Sequence, residues 1–277
     1  MRVAVLQTNS RGDKAANVEA ALVLLDRAAG AGADLAVLPE NVDYMGRRDG
    51  IEAAREPIPG PTSQAFAAKA RQHGMWVVGG SIHELSEEPG KSYNTSLLFD
   101  RRGEIVARYR KVHLYDVEIP GRVSARESTT VSAGCELVTA EIEGHLAGMS
   151  ICYDLRFPEL YRALAVRGAE LLFVPAAFML YTGKDHWEVL LRARAIENQC
   201  FVVAAGQVGS SEPNVTCYGR SMVVDPWGTV LATAPDGVGM AVADLDFDHL
   251  RRVRAELPSL ANRRPDVYAA EPLAVTR

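Results

Sequence analysis

The 277 residues of the chain can bury a substantial core, and a composition of 48% apolar and 23% charged residues excludes a disordered or repetitive polymer. A net charge of −5 leaves no surplus of Lys and Arg to neutralise phosphates, so nucleic acid is not expected as a partner. The opening apolar run is too short for a signal-peptide core, no later run approaches a membrane span, and Cys135, Cys152, Cys200 and Cys217 lack disulfide or metal spacing, which makes the cytoplasm the expected compartment.

Residues 3–7 are a compact apolar run, and Val18, Leu22, Leu25 and Ala29 then recur at helical spacing before Gly30. That pattern predicts a strand followed by an amphipathic helix stopped at the glycine. Residues 34–38 read as a buried strand that Pro39 cannot extend, because proline has no N–H for the ladder, so Glu40 sits at a strand's carboxyl end. A helix over 62–73, a strand over 75–82, and strands over 93–100 and 104–110 hinged at Arg102-Gly103 follow, with Lys111 closing the last. After an irregular stretch over 117–134 come strands over 137–142 and 146–152 turned at Glu143-Gly144, which places Cys152 at another strand end.

Pro158 opens a helix, 171–174 is a strand, and 186–198 is a helix with Trp187, Leu190 and Leu191 on one face. Strands over 201–205, 221–224 and 240–245 complete the pattern. Strands mixed with helices, without a Ser/Gly/Pro-rich linker, predict one layered α/β domain over 1–277. A tail from about residue 258, carrying Pro265 and Pro272, is expected to extend over the surface or onto a partner.

Three positions at these strand ends carry reactive groups. Cys152 lies in Ile151-Cys152-Tyr153-Asp154-Leu155-Arg156-Phe157-Pro158-Glu159, where a sharp strand-to-helix turn lifts the thiol clear of the sheet. The first N–H groups of such a turn favour a thiolate and can hold an oxyanion. On its own the residue also reads as a packed core cysteine. Glu40, ending an apolar strand, is placed to act as a general base, or else as a solvated loop acid or a helix-cap acceptor. Lys111, on the opposite face from Arg110, keeps its charge in a pocket only beside a carboxylate or a developing oxyanion; its alternative is a surface charge.

Taken together, Val37-Leu38-Pro39-Glu40-Asn41, Lys111-Val112-His113-Leu114-Tyr115-Asp116 and Cys152-Tyr153-Asp154-Leu155-Arg156-Phe157-Pro158-Glu159-Leu160 resemble the nitrilase superfamily of carbon–nitrogen hydrolases. The resemblance is strongest to its omega-amidase and deaminated-glutathione amidase branch, and it extends through Asp225-Pro226-Trp227-Gly228 to Arg264-Pro265-Asp266-Val267-Tyr268. It implies a four-layer α-β-β-α sandwich with the site at one rim of the two sheets. Homodimers or higher homo-oligomers are implied too, with the helices opening at Pro158 and near Lys184 as candidate interfaces. Glu127, in Arg126-Glu127-Ser128, falls where the family carries a further carboxylate near the lysine; otherwise it is an exposed loop acid.

The resemblance also implies an amidase that cuts a small carboxamide to acid and ammonia through a Cys152 thioester. Glu40 would be the proton carrier, and Lys111 and the Tyr153 N–H the oxyanion partners. Such chemistry needs no cofactor, and the six singly placed histidines offer no metal-ligand pairing. Tyr44, Arg156, Phe178, Thr182 and His186 adjoin strand ends or the following helix and are candidates for the substrate pocket. Arg156 could fork onto a substrate carboxylate or pair with Glu159, and His186 could instead cap its helix. Rival readings are an N-carbamoyl amine or amino-acid hydrolase, a nitrilase, and a catalytically silent scaffold.

Overall fold

The computed structural model describes residues 1–211 and 215–268. Strand Arg2–Gln7 lies between Gly239–Asp244, antiparallel to it, and Leu35–Val37, parallel to it. Trp76–Val78 continues the parallel run, and Ser92–Phe99 joins it antiparallel while also pairing with Ile82–Leu85, Ile105–Arg110 and Val131–Ser132. A second sheet runs Thr139–Ile142, His145–Met149, Leu171–Ala176, Phe201–Gly206, Met222–Val224, Val230–Thr233.

Period-two alternation decides what each sheet face covers. Val3, Val5, Leu35 and Val37 face the second sheet, sharing one core with Phe173, Val203 and Trp187. Ala4, Leu6, Ala36 and Leu38 point the other way, onto Leu24, Leu25 and Phe66 of the helices Lys14–Gly30 and Pro61–His73. Helices Pro158–Val166 and Leu180–Asn198 cover the outer face of the second sheet, contributing Leu160, Leu164 and Leu191. The result is a four-layer α-β-β-α sandwich. Leu171–Ala176 and Phe201–Gly206 are buried at every residue because both of their faces are covered.

Several local expectations need correction. The first helix begins where the Asp13 side chain accepts from the Ala16 N–H (3.0 Å), and it runs through Gly30 to a cap at Ala31. Its buried stripe is Ala21, Leu24, Leu25 and Ala28, with Val18, Leu22 and Ala29 only at the margin. The strand expected over 75–82 is broken at Gly79-Gly80. Gly80 has φ +63°, and a Cβ there would meet the Pro39 carbonyl oxygen at 2.0 Å, so its backbone seats the turn that carries Glu40.

The stretch expected to be irregular over 117–134 contains the hairpin Asp116–Ile119/Val123–Arg126 and a tight turn at Glu127–Thr129. The helix expected from 186 begins at Leu180, because Gly183 lets it approach Tyr218, whose Cβ would lie 2.5 Å from an added Cβ. Helices Arg48–Ala54 and Phe247–Glu256 and the hairpin Val208–Ser211/Val215–Tyr218 were not expected. Pro265–Tyr268 is an exposed helical turn, and Pro272 lies outside the described residues. No helix among the described residues is long and apolar enough to cross a membrane.

Candidate active site

Glu40, Cys152 and Ala177 follow the carboxyl ends of the parallel strands Leu35–Val37, His145–Met149 and Leu171–Ala176. Open parallel sheets place their functional groups at this end, where the chain turns off the ladder. Lys111 arrives from the neighbouring antiparallel strand. Its backbone N–H donates to the Asn94 carbonyl (2.9 Å), extending the pairing of Ile105–Arg110 with Ser92–Phe99 by one step.

The side chains converge on Lys111. Its Nζ donates to Glu40 Oε1 (2.8 Å) and to Glu127 Oε2 (2.9 Å) and Oε1 (3.1 Å). Asn94 Nδ2 bridges the same two acids, donating to Glu40 Oε1 (2.9 Å) and Glu127 Oε1 (3.2 Å). The second oxygens are held by backbone: Ala177 N–H donates to Glu40 Oε2 (2.8 Å) and Tyr115 N–H to Glu127 Oε2 (2.6 Å). Glu40 and Lys111 are each 2% exposed. Burial works against the ammonium, but Glu127 and then Glu40 outweigh it and hold the Lys111 pKa well above the usual lysine value.

Cys152 opens the tight turn Cys152–Arg156 at φ +46°, a conformation that costs a non-glycine residue energy. Asp154 holds that turn. Its fully buried carboxylate accepts from Ile151 N–H (2.8 Å), Tyr109 Oη (2.7 Å), His113 N–H (3.0 Å) and His113 Nδ1 (2.7 Å). One acid thus ties the cysteine turn to both flanks of Lys111. Asp154→Ala would leave several of these donors buried and unpaired at about 1–3 kcal/mol each. The expected loss is at least about 3 kcal/mol in urea denaturation. An unchanged midpoint would show that the turn is held by other means.

The thiol itself is pushed well above its usual pKa, first by burial and then by the charge of Glu40, with Lys111 and the Ala177 N–H pulling the other way. The resting group is therefore a thiol. A thiol reacts as a nucleophile only once its proton leaves, and Glu40 and Lys111 are the two charged groups that act on this one.

Glu40, Lys111, Glu127 and Cys152 line a cavity of about 420 Å³, joined there by Tyr153, Arg156, Phe178 and Thr182. Two expected pocket residues do not line it. Tyr44 turns to the far side of its loop, where its hydroxyl donates to the Arg47 carbonyl (3.0 Å) and its ring packs edge-on to His83. His186 lies in the second turn of its helix rather than at the cap, exposed, with Nδ1 3.3 Å from Arg156 Nη1. Arg156 makes no ion pair with Glu159. Its guanidinium lies over the Phe178 ring, 5.0 Å from the centroid, because the tight turn aims it into the cavity.

Sequence reasoning missed Asn94, which no motif flags; only the pairing of its strand with the lysine strand could have found it. It also missed Arg48, Arg126, Met45, Ile51 and Met179 in the cavity wall. Among the described residues, no three His, Cys, Asp or Glu side chains are grouped so as to hold a metal ion.

The carbon-nitrogen hydrolase family pattern matches residues 2–255. The deaminated glutathione amidase of Bos taurus is 45% identical over 96% of this chain and 83% of its own length. The omega-amidase of Homo sapiens is 39% identical over 98% of this chain and 97% of its own. The crystal structure of the Caenorhabditis elegans NitFhit protein superposes with a TM-score of 0.87 at 39% identity, covering 96% of this chain and 66% of that longer one. A match over nearly the whole chain, on a shared sandwich, places this protein in the carbon-nitrogen hydrolase family, as an amidase acting on carbon–nitrogen bonds other than peptide bonds.

Proposed function

We propose that the protein hydrolyses the ω-amide of a keto dicarboxylic acid, or deaminated glutathione, with Cys152 as nucleophile. The observation that carries this reading is the Glu40–Lys111–Glu127 cluster, with Glu40 and Lys111 buried, sharing one cavity with a strained cysteine turn. Glu40 takes the thiol proton as Cys152 Sγ bonds to the amide carbon, and the carbonyl oxygen becomes an oxyanion held by Lys111 Nζ and the Tyr153 N–H. The C–N bond breaks as Glu40 hands its proton to the departing nitrogen, which leaves a thioester. Glu40, with Glu127 across Lys111, then deprotonates a water that attacks the thioester carbon. The C–S bond breaks, and the proton returns to sulfur.

Arg156 supports the acidic substrate, since its guanidinium faces the cavity over the Phe178 ring without a carboxylate partner among the described residues. A homo-oligomer in the cytoplasm is part of the same proposal. Val166, Val189, Ile196 and Trp227 are exposed apolar side chains on or beside the two outer helices, where a second copy would cover them. The cysteines are all free.

Activity on a substrate panel tests the proposal. Release of ammonia from a keto-acid ω-amide, or of an amine from deaminated glutathione, is the expected result. Carbon dioxide from N-carbamoyl compounds, or acid from nitriles, as the preferred reaction would replace it with one of the rival hydrolases. No turnover on any of them, with an unreactive Cys152, would favour a silent scaffold.

A further inference from the structure

Glu40 is held from behind by groups that the proposed mechanism does not use. Gln207, buried at the end of the second-sheet strand Phe201–Gly206, reaches it by two routes. Its side-chain Nε2 donates to the Glu40 carbonyl (2.9 Å). Its backbone N–H donates to the Ala176 carbonyl (2.8 Å), and the other polar end of that peptide group, the Ala177 N–H, is the donor to Glu40 Oε2 (2.8 Å). One residue of the second sheet is thus tied to both the main chain and the carboxylate of a residue that follows a first-sheet strand.

Neighbours fix which way the Gln207 amide points. Its Oε1 accepts from the Ser10 N–H (2.9 Å) and from Thr8 Oγ1 (3.0 Å), both just beyond strand Arg2–Gln7. A backbone N–H requires an acceptor, so the NH₂ end is the one that faces Ser10 Oγ (2.9 Å) and the Glu40 carbonyl.

The opposite end of the Glu40–Asn41 peptide group is held as well. The Asn41 N–H donates to Ser81 Oγ (2.9 Å), and Ser81 is fully buried next to the first-sheet strand Ile82–Leu85. Gln207 and Ser81 therefore clamp one peptide group at its two polar ends, each from a different sheet. Asn41 then turns the chain at φ +52°, a strained conformation that persists only where the surroundings over-determine it.

The carboxylate end of Glu40 has no such constancy through the reaction. At rest its Oε1 accepts from Lys111 and Asn94. On the proposed mechanism the ammonium also serves the oxyanion, and Glu40 gains and loses a proton, so these bonds are exchanged while the peptide clamp is untouched. A carboxylate on several rotatable bonds needs that fixed end, since a displacement of about 1 Å can cost about 10²-fold in rate.

We infer that Gln207 and Ser81 are positioning residues for the hydrolysis, which hold the Glu40–Asn41 peptide group and so aim the Glu40 carboxylate at the Cys152 thiol. The inference rests on the role proposed above for Glu40 as proton carrier.

The test compares Gln207→Met, which keeps the side chain's length and removes its amide, with Ser81→Ala, each alone and combined with Glu40→Gln. Ammonia release from a keto-acid ω-amide gives kcat and KM. The pH profile of Cys152 alkylation by iodoacetamide reads the thiol without turnover, and urea midpoints show which variants are folded. Each single variant is expected to lose about 10–100-fold in kcat, with KM within about threefold of the wild type. Its alkylation profile should move to lower pH, because the Glu40 charge that raises the thiol is no longer held against it. In the Glu40→Gln background both effects should vanish, whereas a merely structural residue would cost as much there as in the wild type. Unchanged kcat in the folded single variants, or a loss and a profile shift as large with Glu40→Gln as without it, overturns the inference. If Gln207→Met does not fold, Ser81→Ala decides the matter from the other end of the same peptide group. A wild type that turns over no amide, yet shows the Glu40-dependent alkylation shifts, supports the positioning and counts against the amidase reading.

Discussion

Replacing Cys152 by alanine is expected to remove turnover by about 10⁵-fold while leaving the fold intact, because in covalent catalysis the loss of the nucleophile leaves only binding and oxyanion stabilisation. Alanine tolerates φ +46° no worse than cysteine, and the turn is held by Asp154 rather than by the sulfur. The melting temperature should therefore move by no more than a few degrees, at a cost of about 1 kcal/mol for one small buried atom group. Quenching the wild-type reaction early should trap an acyl-enzyme visible as a mass increase on the peptide containing Cys152, and the alanine variant should show none. Turnover retained in the variant, or an adduct on Cys200 or Cys217, would remove the assignment. Those two thiols are buried, and burial pushes both up to about 12, so neither is placed to compete.

What could be read from the chain alone follows from which forces act locally. Glu40, Lys111 and Cys152 were legible because each follows an apolar strand, and a strand end is a local signal made by proline, a charge or a turn. Their convergence was not local. It depends on the two sheets packing face to face, which brings Ala177 from one sheet onto Glu40 from the other. Asn94 was invisible for the same reason, as a polar residue within a strand that gains its role from the register against Lys111.

Tyr44 shows the converse failure. Only four residues from Glu40, it points away because the loop reverses and its ring is packed against Gly46 and Gly50, whose added Cβ atoms would lie 2.6 and 1.9 Å from its hydroxyl. Helix boundaries erred where tertiary packing overrode propensity. Thr182 and Gly183 are weak helix formers, yet they open the Leu180–Asn198 helix because Tyr218 packs against the glycine.

The cluster also sets two variants in opposition. On the proposed mechanism, Lys111→Met and Glu40→Gln should each cost about 10²–10⁴-fold in kcat with little change in KM, since one would remove the oxyanion charge and the other the proton carrier, both needed chiefly in the transition state. Their effects on the thiol have opposite signs. The Glu40 charge raises the Cys152 pKa and the Lys111 charge lowers it. Glu40→Gln should therefore move the pH profile of Cys152 alkylation by iodoacetamide to lower pH even as catalysis fails, and Lys111→Met should move it higher.

The lysine variant carries a second penalty. Without the ammonium, Glu40 and Glu127 face each other through Asn94 alone. Breaking a buried ion pair from one side costs about 3–5 kcal/mol, so Lys111→Met should unfold at lower urea than Glu40→Gln. Profiles shifted in the same direction by both variants would mean that the two charges do not act on the sulfur through the arrangement seen here. The carboxylate and the ammonium would then lose their distinct roles as proton carrier and oxyanion partner.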